Sequence, residues 1–363
     1  MNMLSNLRVD GFRGICDLEI NHLSQVNLII GDNNCGKTSL LEAVQLLRSE
    51  SIANIYRVAK LRSSSFFASS NSLYDNFICM FPRSDDNLRI QLSGVCGGDA
   101  ISYTLSGIES RELLDLNELD RFSRRDFEDV AGESEIDVFD GNLAYVKNKH
   151  LSDEKIHLNR FSRMTGTSLE ENNQIEISYV APFDHFKGNI ISSIIKNDSY
   201  KEICLKALQL FDDEIEDMMI FRSDIVNRPV EYLKHKKLGN MPLYTYGDGI
   251  KKVLVLSNAV ASAANGILLI DEIETSIHQK YFDDIFRFIV KACNAFNVQV
   301  FITTHSIEAI DGLLGTQDYA TQSVSDAITA VTLMRNGGKT YARVLSGRDV
   351  YENREAFGFE VRL

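Results

Sequence analysis

The sequence predicts an α/β fold in which a parallel sheet presents a phosphate-binding edge, and three observations carry that prediction. The first is Gly31-Asp32-Asn33-Asn34-Cys35-Gly36-Lys37-Thr38, which fits G-x-x-x-x-G-K-[ST] at every fixed position. The second is the apolar run Gly266-Ile267-Leu268-Leu269-Ile270, which ends in Asp271-Glu272. The third is a β-rich run, Val298-Gln299-Val300-Phe301-Ile302, which ends in Thr303-Thr304-His305-Ser306.

Each element has its own chemical reason. Val26-Asn27-Leu28-Ile29-Ile30 reads as a buried strand, and the residues from Ser39 to Leu47 place apolar side chains at helical spacing. A strand, a glycine-bounded loop and a helix start make an anion cradle from backbone N–H groups and the helix dipole. Asn33, Asn34, Cys35, Gly36, Lys37, Thr38 and Ser39 are therefore the candidate nucleotide-binding residues. Lys37 would reach the β- and γ-phosphates, and Thr38 would put its hydroxyl on Mg²⁺. Asp271 would hold the same ion from its strand end, and Glu272 would polarise the attacking water. Residues 281–296 suit the crossover helix that a parallel strand pair requires. His305 would then emerge at the same sheet edge, where an imidazole could sense the γ-phosphate.

The rest of the chain is read more coarsely. Leu7-Arg8-Val9 and Leu18-Glu19-Ile20 look like a hairpin, and residues 86–105 alternate as two strands joined near Gly94 to Gly98. Residues 106–175 are the most polar and acidic and are expected to be a surface insertion, partly helical. Residues 184–212 look helical, 243–260 hold a turn and a helix, and the last third alternates strand and helix. Three segments follow: 1–105, an insertion at 106–212, and 213–363.

Composition excludes some classes. The 363 residues are 44% hydrophobic and 25% charged, as in soluble globular proteins. No apolar run approaches the ~18–20 residues of a membrane span, and the N-terminus is too polar for a signal peptide. Six cysteines show no C-x-x-C pair and no zinc spacing, which fits a reducing, cytoplasmic setting. A net charge of −13 argues against a chain-wide grip on nucleic acid. Arg121, Arg124 and Arg125 are offset by Asp120, Asp126 and Glu128, and Lys234-His235-Lys236-Lys237 reads as a solvated turn.

In this order, with a long insertion between the first two, the three motifs resemble the ABC-type ATPase heads. These include the SMC and RecF proteins and the OLD (overcoming lysogenization defect) ATPases. Val9-Asp10-Gly11-Phe12-Arg13-Gly14 resembles that group's opening strand, which implies that Arg13 lies near the adenine. Asp271-Glu272-Ile273-Glu274-Thr275-Ser276-Ile277-His278 resembles the OLD-like Walker B segment with its D-loop. Leu243 to Lys252 stands where the ABC signature should be, so Gly247, Asp248 and Gly249 are implied contacts to the γ-phosphate of a second copy. Tyr246 replaces the usual signature serine, leaving Thr245 to supply a hydroxyl, and Gln91 is the candidate Q-loop glutamine.

The resemblance implies an α/β P-loop NTPase of ABC-ATPase type with an N-terminal antiparallel β-lobe and a long, largely helical insertion. It implies ATP and Mg²⁺ as cofactors and a homodimer closed around ATP. On the OLD-like reading, the chain is a subunit that regulates a separate effector, a TOPRIM-type nuclease, in anti-phage defence, answering a phage-derived trigger. The TOPRIM domain of full OLD proteins is expected to be absent here. The alternative is a RecF- or SMC-like DNA repair ATPase that grips DNA itself. The insertion is expected to be the lid or arm that contacts a partner, or else a solvated decoration.

Overall fold

Where β-strands are buried on both faces they read as continuous apolar runs, and where one face meets water they alternate. Both kinds organise this chain. The computed structural model describes residues 3–62, 72–82, 87–115, 133–148, 150–162, 174–186, 190–222, 228–319 and 327–357. In the N-terminal part, β1 (Leu4–Asp10) and β2 (Leu18–Ile20) form the expected hairpin, with Leu7 opposite Ile20 and Val9 opposite Leu18. Gly11 follows at φ +71°, and a Cβ there would lie 2.2 Å from the Arg89 carbonyl oxygen, so only glycine fits. Next come β3 (Val26–Ile30), α1 (Lys37–Leu46), α2 (Ile52–Lys60) and α3 (Leu73–Ile78). Ser51 caps α2, and a Ser72–Asp75 capping box starts α3. Then β4 (Leu88–Cys96), β5 (Asp99–Asp115), β6 (Glu133–Lys147) and β7 (His150–Asn159) run antiparallel. With the first hairpin they make one sheet in the order β2-β1-β4-β5-β6-β7.

The second half begins with β8 (Ile177–Val180), a short 3₁₀ turn (Asp184–Phe186), α4 (Ile190–Ile194) and α5 (Asp198–Gln209). A small antiparallel sheet follows, made of β9 (Ile215–Arg222), β10 (Pro229–His235) and β11 (Gly239–Pro242). After α6 (Asp248–Ser262) the chain alternates as expected: β12 (Ile267–Ile270), α7 (Phe282–Ala295), β13 (Gln299–Thr303), α8 (Ile307–Leu314), β14 (Ile328–Asn336), β15 (Lys339–Ser346) and α9 (Gly347–Phe357). The central sheet has the order β15-β14-β3-β13-β12-β8, parallel from β14 to β8. Every residue of β3, β12 and β13 is buried.

Alternation across this sheet divides the interior in two. Ile29, Leu269, Phe301 and Val331 face α1 and the antiparallel lobe, sharing a core with Leu7, Leu41, Tyr103 and Phe139. Leu28, Ile270, Val300 and Ile302 face the other way, into a core built with α5, α6, α7 and α8.

The insertion needs correcting. It was expected to be largely helical, but the described residues from 106 to 162 are mainly strand, and helix is confined to α4 and α5. Nor is it separable from the lobe. Phe139, Leu143, Tyr145, Ile156 and Leu158 are buried in the lobe core, and β8 is the edge strand beside β12. Arg121, Arg124 and Arg125, with their acidic neighbours, lie outside the described residues. The basic cluster is a solvated turn only in part. Lys234 and His235 end β10, where Lys234 pairs with Glu216 and His235 is buried, accepting from the Lys237 and Leu238 N–H groups. Lys236 and Lys237 form the β10–β11 turn, and Lys237 pairs with Glu214.

One side chain stitches the lobe to the sheet. Gln299, fully buried at the start of β13, accepts from the Leu4 N–H at 2.8 Å. Its amide nitrogen donates to the carbonyls of Leu4 and Ser24, each at 2.8 Å. Replacing it with leucine would orphan buried backbone groups, each costing ~1–3 kcal/mol. Gln299→Leu is expected to lower stability by about 2–4 kcal/mol in urea titrations followed by circular dichroism. An unchanged midpoint would show that the stitch is dispensable.

Candidate active site

The phosphate loop turns tightly between β3 and α1. Gly31 has φ +143°, and a Cβ there would meet the Leu333 carbonyl at 2.4 Å and Cys35 Sγ at 2.7 Å. Asn34 and Gly36 are also left-handed, at φ 64° and 107°. Asp32, Asn33 and Asn34 are exposed, while Cys35 is buried and its thiol pKa is pushed up by that burial. Lys37 folds back over its own loop, donating from Nζ to the carbonyls of Gly31 at 2.6 Å and Asp32 at 2.8 Å.

Asp271 immediately follows β12 and is buried. Thr38 Oγ1 donates to its Oδ2 at 2.9 Å, and Thr303 Oγ1, from the end of β13, donates to its Oδ1 at 2.6 Å. Tyr179, on β8, reaches Oδ2 at 3.4 Å, and burial together with Asp271 raises the phenol pKa far above its ordinary value. Parallel pairing of β3, β13 and β12 thus brings the loop, Asp271 and Thr303 to one edge, as the carboxyl ends of such sheets allow. A hydroxyl and a carboxylate within hydrogen-bond reach form the hard oxygen donor set that suits Mg²⁺. Thr38 and Asp271 therefore fit the ion expected there.

Glu272 leaves the strand with φ 46°, an uncommon conformation for a non-glycine residue. Its N–H donates to Thr303 Oγ1 at 2.8 Å, and Thr275 Oγ1 donates to its Oε2 at 3.4 Å. His305 follows β13 at the same edge. Its N–H donates to Glu274 Oε1 at 2.9 Å and its Nδ1 lies 3.0 Å from the same oxygen, which orients the ring. Ser306 then caps α8.

The signature-like residues stand apart from this group. Gly247 is exposed and precedes the first turn of α6, where Asp248 pairs with Lys251 at 3.0 Å. Among the described residues, no hydrogen bond joins Gly247, Asp248 or Gly249 to the phosphate loop. A Cβ at Gly247 would meet nothing within 4 Å. Thr245, the candidate for the missing hydroxyl, is exposed, and its Oγ1 donates to the Pro242 carbonyl at 2.7 Å. Gln91 is exposed on β4, in the antiparallel lobe. The strand beside Asp271 is β8, and it runs into Ala181-Pro182-Phe183-Asp184 without a glutamine.

Arg13 also differs from expectation. Its side chain is mostly buried, with Nε 2.7 Å from Glu42 Oε2 on α1, and Glu42 is itself 1% exposed. Arg62 grips the same carboxylate at 2.8 and 2.9 Å and donates to Ser39 Oγ at 3.0 Å. Arg13 therefore anchors the loop helix to the lobe, because a buried carboxylate demands cationic partners. Arg62 carries no local motif, and sequence reading missed it.

Fold and site together define a P-loop ATPase head of ABC type. The chain belongs to the family described as AAA domain, putative AbiEii toxin, Type IV TA system, whose model matches residues 26–311. It is similar to an "ATP/GTP phosphatase" of Helicobacter pylori, 25% identical over 88% of this chain and 91% of that protein. An uncharacterised protein of Methanocaldococcus jannaschii is 32% identical over 32% of this chain and 98% of its own. Among solved structures, an SMC head bound to the C-terminal winged-helix domain of ScpA superposes with TM-score 0.51 and 12% identity, covering 96% of this chain and 99% of that one.

Removing the Glu42 carboxylate would leave Arg13 buried without its counter-charge, a change typically worth ~3–5 kcal/mol. Glu42→Ala is expected to lower thermal stability by that order. A melting temperature within a degree or so of the unmutated protein would mean that the pair does not hold α1.

Proposed function

We propose that the protein is a Mg²⁺-dependent ATPase subunit that closes as a homodimer around ATP and thereby controls a separate effector. The observation that carries this reading is the Asp271 carboxylate meeting the phosphate-loop hydroxyl of Thr38 at 2.9 Å, with Glu272 next in the chain. Mg²⁺ bound by Thr38 and Asp271 would neutralise charge developing on the phosphates. Lys37 exchanges the Gly31 and Asp32 carbonyls for phosphate oxygens, since hydrogen bonds between charged groups are the stronger ones. Asn33, Asn34, Cys35 and Gly36 offer backbone N–H groups, and Ser39 lies one residue beyond Thr38. Glu272 takes the proton of the attacking water, and His305, steadied by Glu274, senses the γ-phosphate. The name of the Helicobacter pylori relative supports hydrolysis of a nucleoside triphosphate.

An exposed Gly247 at a helix start, with open space where a Cβ would sit, supports contact from Gly247 and Gly249 to the phosphate of a second copy. The OLD resemblance and a family description that names a toxin system support control of another protein, read as a TOPRIM-type nuclease in anti-phage defence. We place its contact on the β5–β7 ribbon, where Ile108, Leu113 and Leu151 are exposed. A net charge of −13 does not favour DNA as the main partner, and the test is whether DNA raises the ATPase rate.

Glu272→Gln is expected to keep ATP binding and slow turnover ~10²–10⁴-fold, the usual worth of a general base. Unmutated turnover in this variant would remove Glu272 from the role. The same variant with ATP and Mg²⁺ should double its mass in light scattering. A monomer at every concentration would sink the dimer.

A further inference from the structure

The start of α6 and the segment after Asp271 are tied together through a third piece of chain, the turn that follows β8. On one side of this turn stands Lys252, on α6 and fully buried. Its Nζ donates to the Pro182 carbonyl at 3.2 Å. Burial pushes its pKa down to about 8, against the field of Asp184, Asp271, Glu274 and Glu272, which favours the charged form. A buried ammonium is a costly way to fill space that a methionine would fill as well. On the other side stands His185, 1% exposed, with Nε2 3.0 Å from Ser276 Oγ. Ser276 belongs to the segment after Glu272 and is held left-handed at φ 66°. A Cβ built on Gly249 would lie 3.6 Å from the Ser276 carbonyl oxygen. Asp184 folds the turn itself by accepting from the Ala181 N–H at 2.8 Å. These contacts run from Ser276 to His185 and along the turn to Pro182 and Lys252, and the ring is completed along α6 by Gly249, which lies beside Ser276 without a bond to it.

We propose that this ring is a clamp that fixes the Gly247–Gly249 helix start relative to the Asp271–Ser276 segment, with Lys252, His185 and Ser276 as positioning residues for hydrolysis. It rests on the ATPase reading above. The three residues touch no expected nucleotide atom, so they set where the helix start and Glu272 stand, not how tightly ATP is held. Opening the ring at either hydrogen bond frees the same motion. Losses from the two ends therefore do not multiply, as expected for residues that share one structural unit.

The test compares Lys252→Met, Lys252→Arg, His185→Gln, Ser276→Ala and the Lys252→Met/Ser276→Ala pair in the full chain. A fluorescent ATP analogue gives the Kd, and phosphate release gives kcat. The expected result is a Kd within about twofold of the unmutated protein and a kcat lowered roughly 10- to 100-fold in each uncharged variant, the range that misplacement far from the chemistry produces. Lys252→Arg should recover part of the loss, and the double variant should be no slower than its slower parent. Should Lys252→Met fail to fold, Ser276→Ala decides the matter, because Ser276 is exposed and its loss leaves the core intact. Single variants with unmutated kcat, losses that multiply in the double variant, or a Kd that rises in step with the fall in kcat would each overturn the clamp. Absence of any ATP hydrolysis by the unmutated protein would overturn the ATPase reading and the clamp with it.

Discussion

Everything at the sheet edge depends on where the Asp271 carboxylate is held. Its two oxygens take hydroxyl protons from Thr38 and Thr303, so the loop after β3 and the ends of β12 and β13 converge on one acidic group. A hydroxyl both donates and accepts. Thr38 can therefore give up its proton contact and offer a lone pair to a cation by rotating about one bond, with no backbone movement. The parallel sheet makes this possible. It sets three strand ends level with one another, while helices on one face and the antiparallel lobe on the other shut out water. Three residues near this edge, Asn34, Glu272 and Ser276, hold positive φ.

What could be read from the sequence follows from distance along the chain. The phosphate loop is consecutive, so its pattern is self-contained. β3, β12 and β13 are buried on both faces, so they show as unbroken apolar runs, and the helix between the last two follows from their parallel pairing. The strands at 106–162 were hidden by their own exposure. In β7, only Ile156 and Leu158 are buried, and the residues between and before them meet water, so the composition looks like a polar excursion. Their alternation is present but thin, although β7 pairs with β6 directly across the turn between Lys147 and His150.

Side-chain pairings were the least legible. Thr303 stands two residues before His305 in the same motif, and nothing local says that the threonine, not the histidine, meets Asp271. The resemblance implies Arg13 beside the nucleotide, but its guanidinium meets Glu42, from the helix after the loop. Such partners are chosen by the packing of the lobe on α1, a long-range event with no sequence spacing of its own. Gln299 is similar: in the linear sequence it is a polar residue in an apolar run, and only the fold shows that its amide completes the backbone of Leu4.

The placement of β3 also has a consequence for synthesis of the chain. Its neighbours in the sheet are β13 and β14, while β3 itself ends at Ile30 and β13 begins only at Gln299. At a translation rate of ~5–20 residues per second, the phosphate-loop strand waits roughly 15 to 50 seconds for its first hydrogen-bonded neighbour. Through that interval an apolar strand with both edges open is attached to a ribosome. The antiparallel lobe can form meanwhile, since its strands pair with near neighbours, but the strand that carries the nucleotide site cannot. Nascent chains stalled before Gln299 would thus present sticky, unpaired edges, and would depend on chaperones more than the finished protein does.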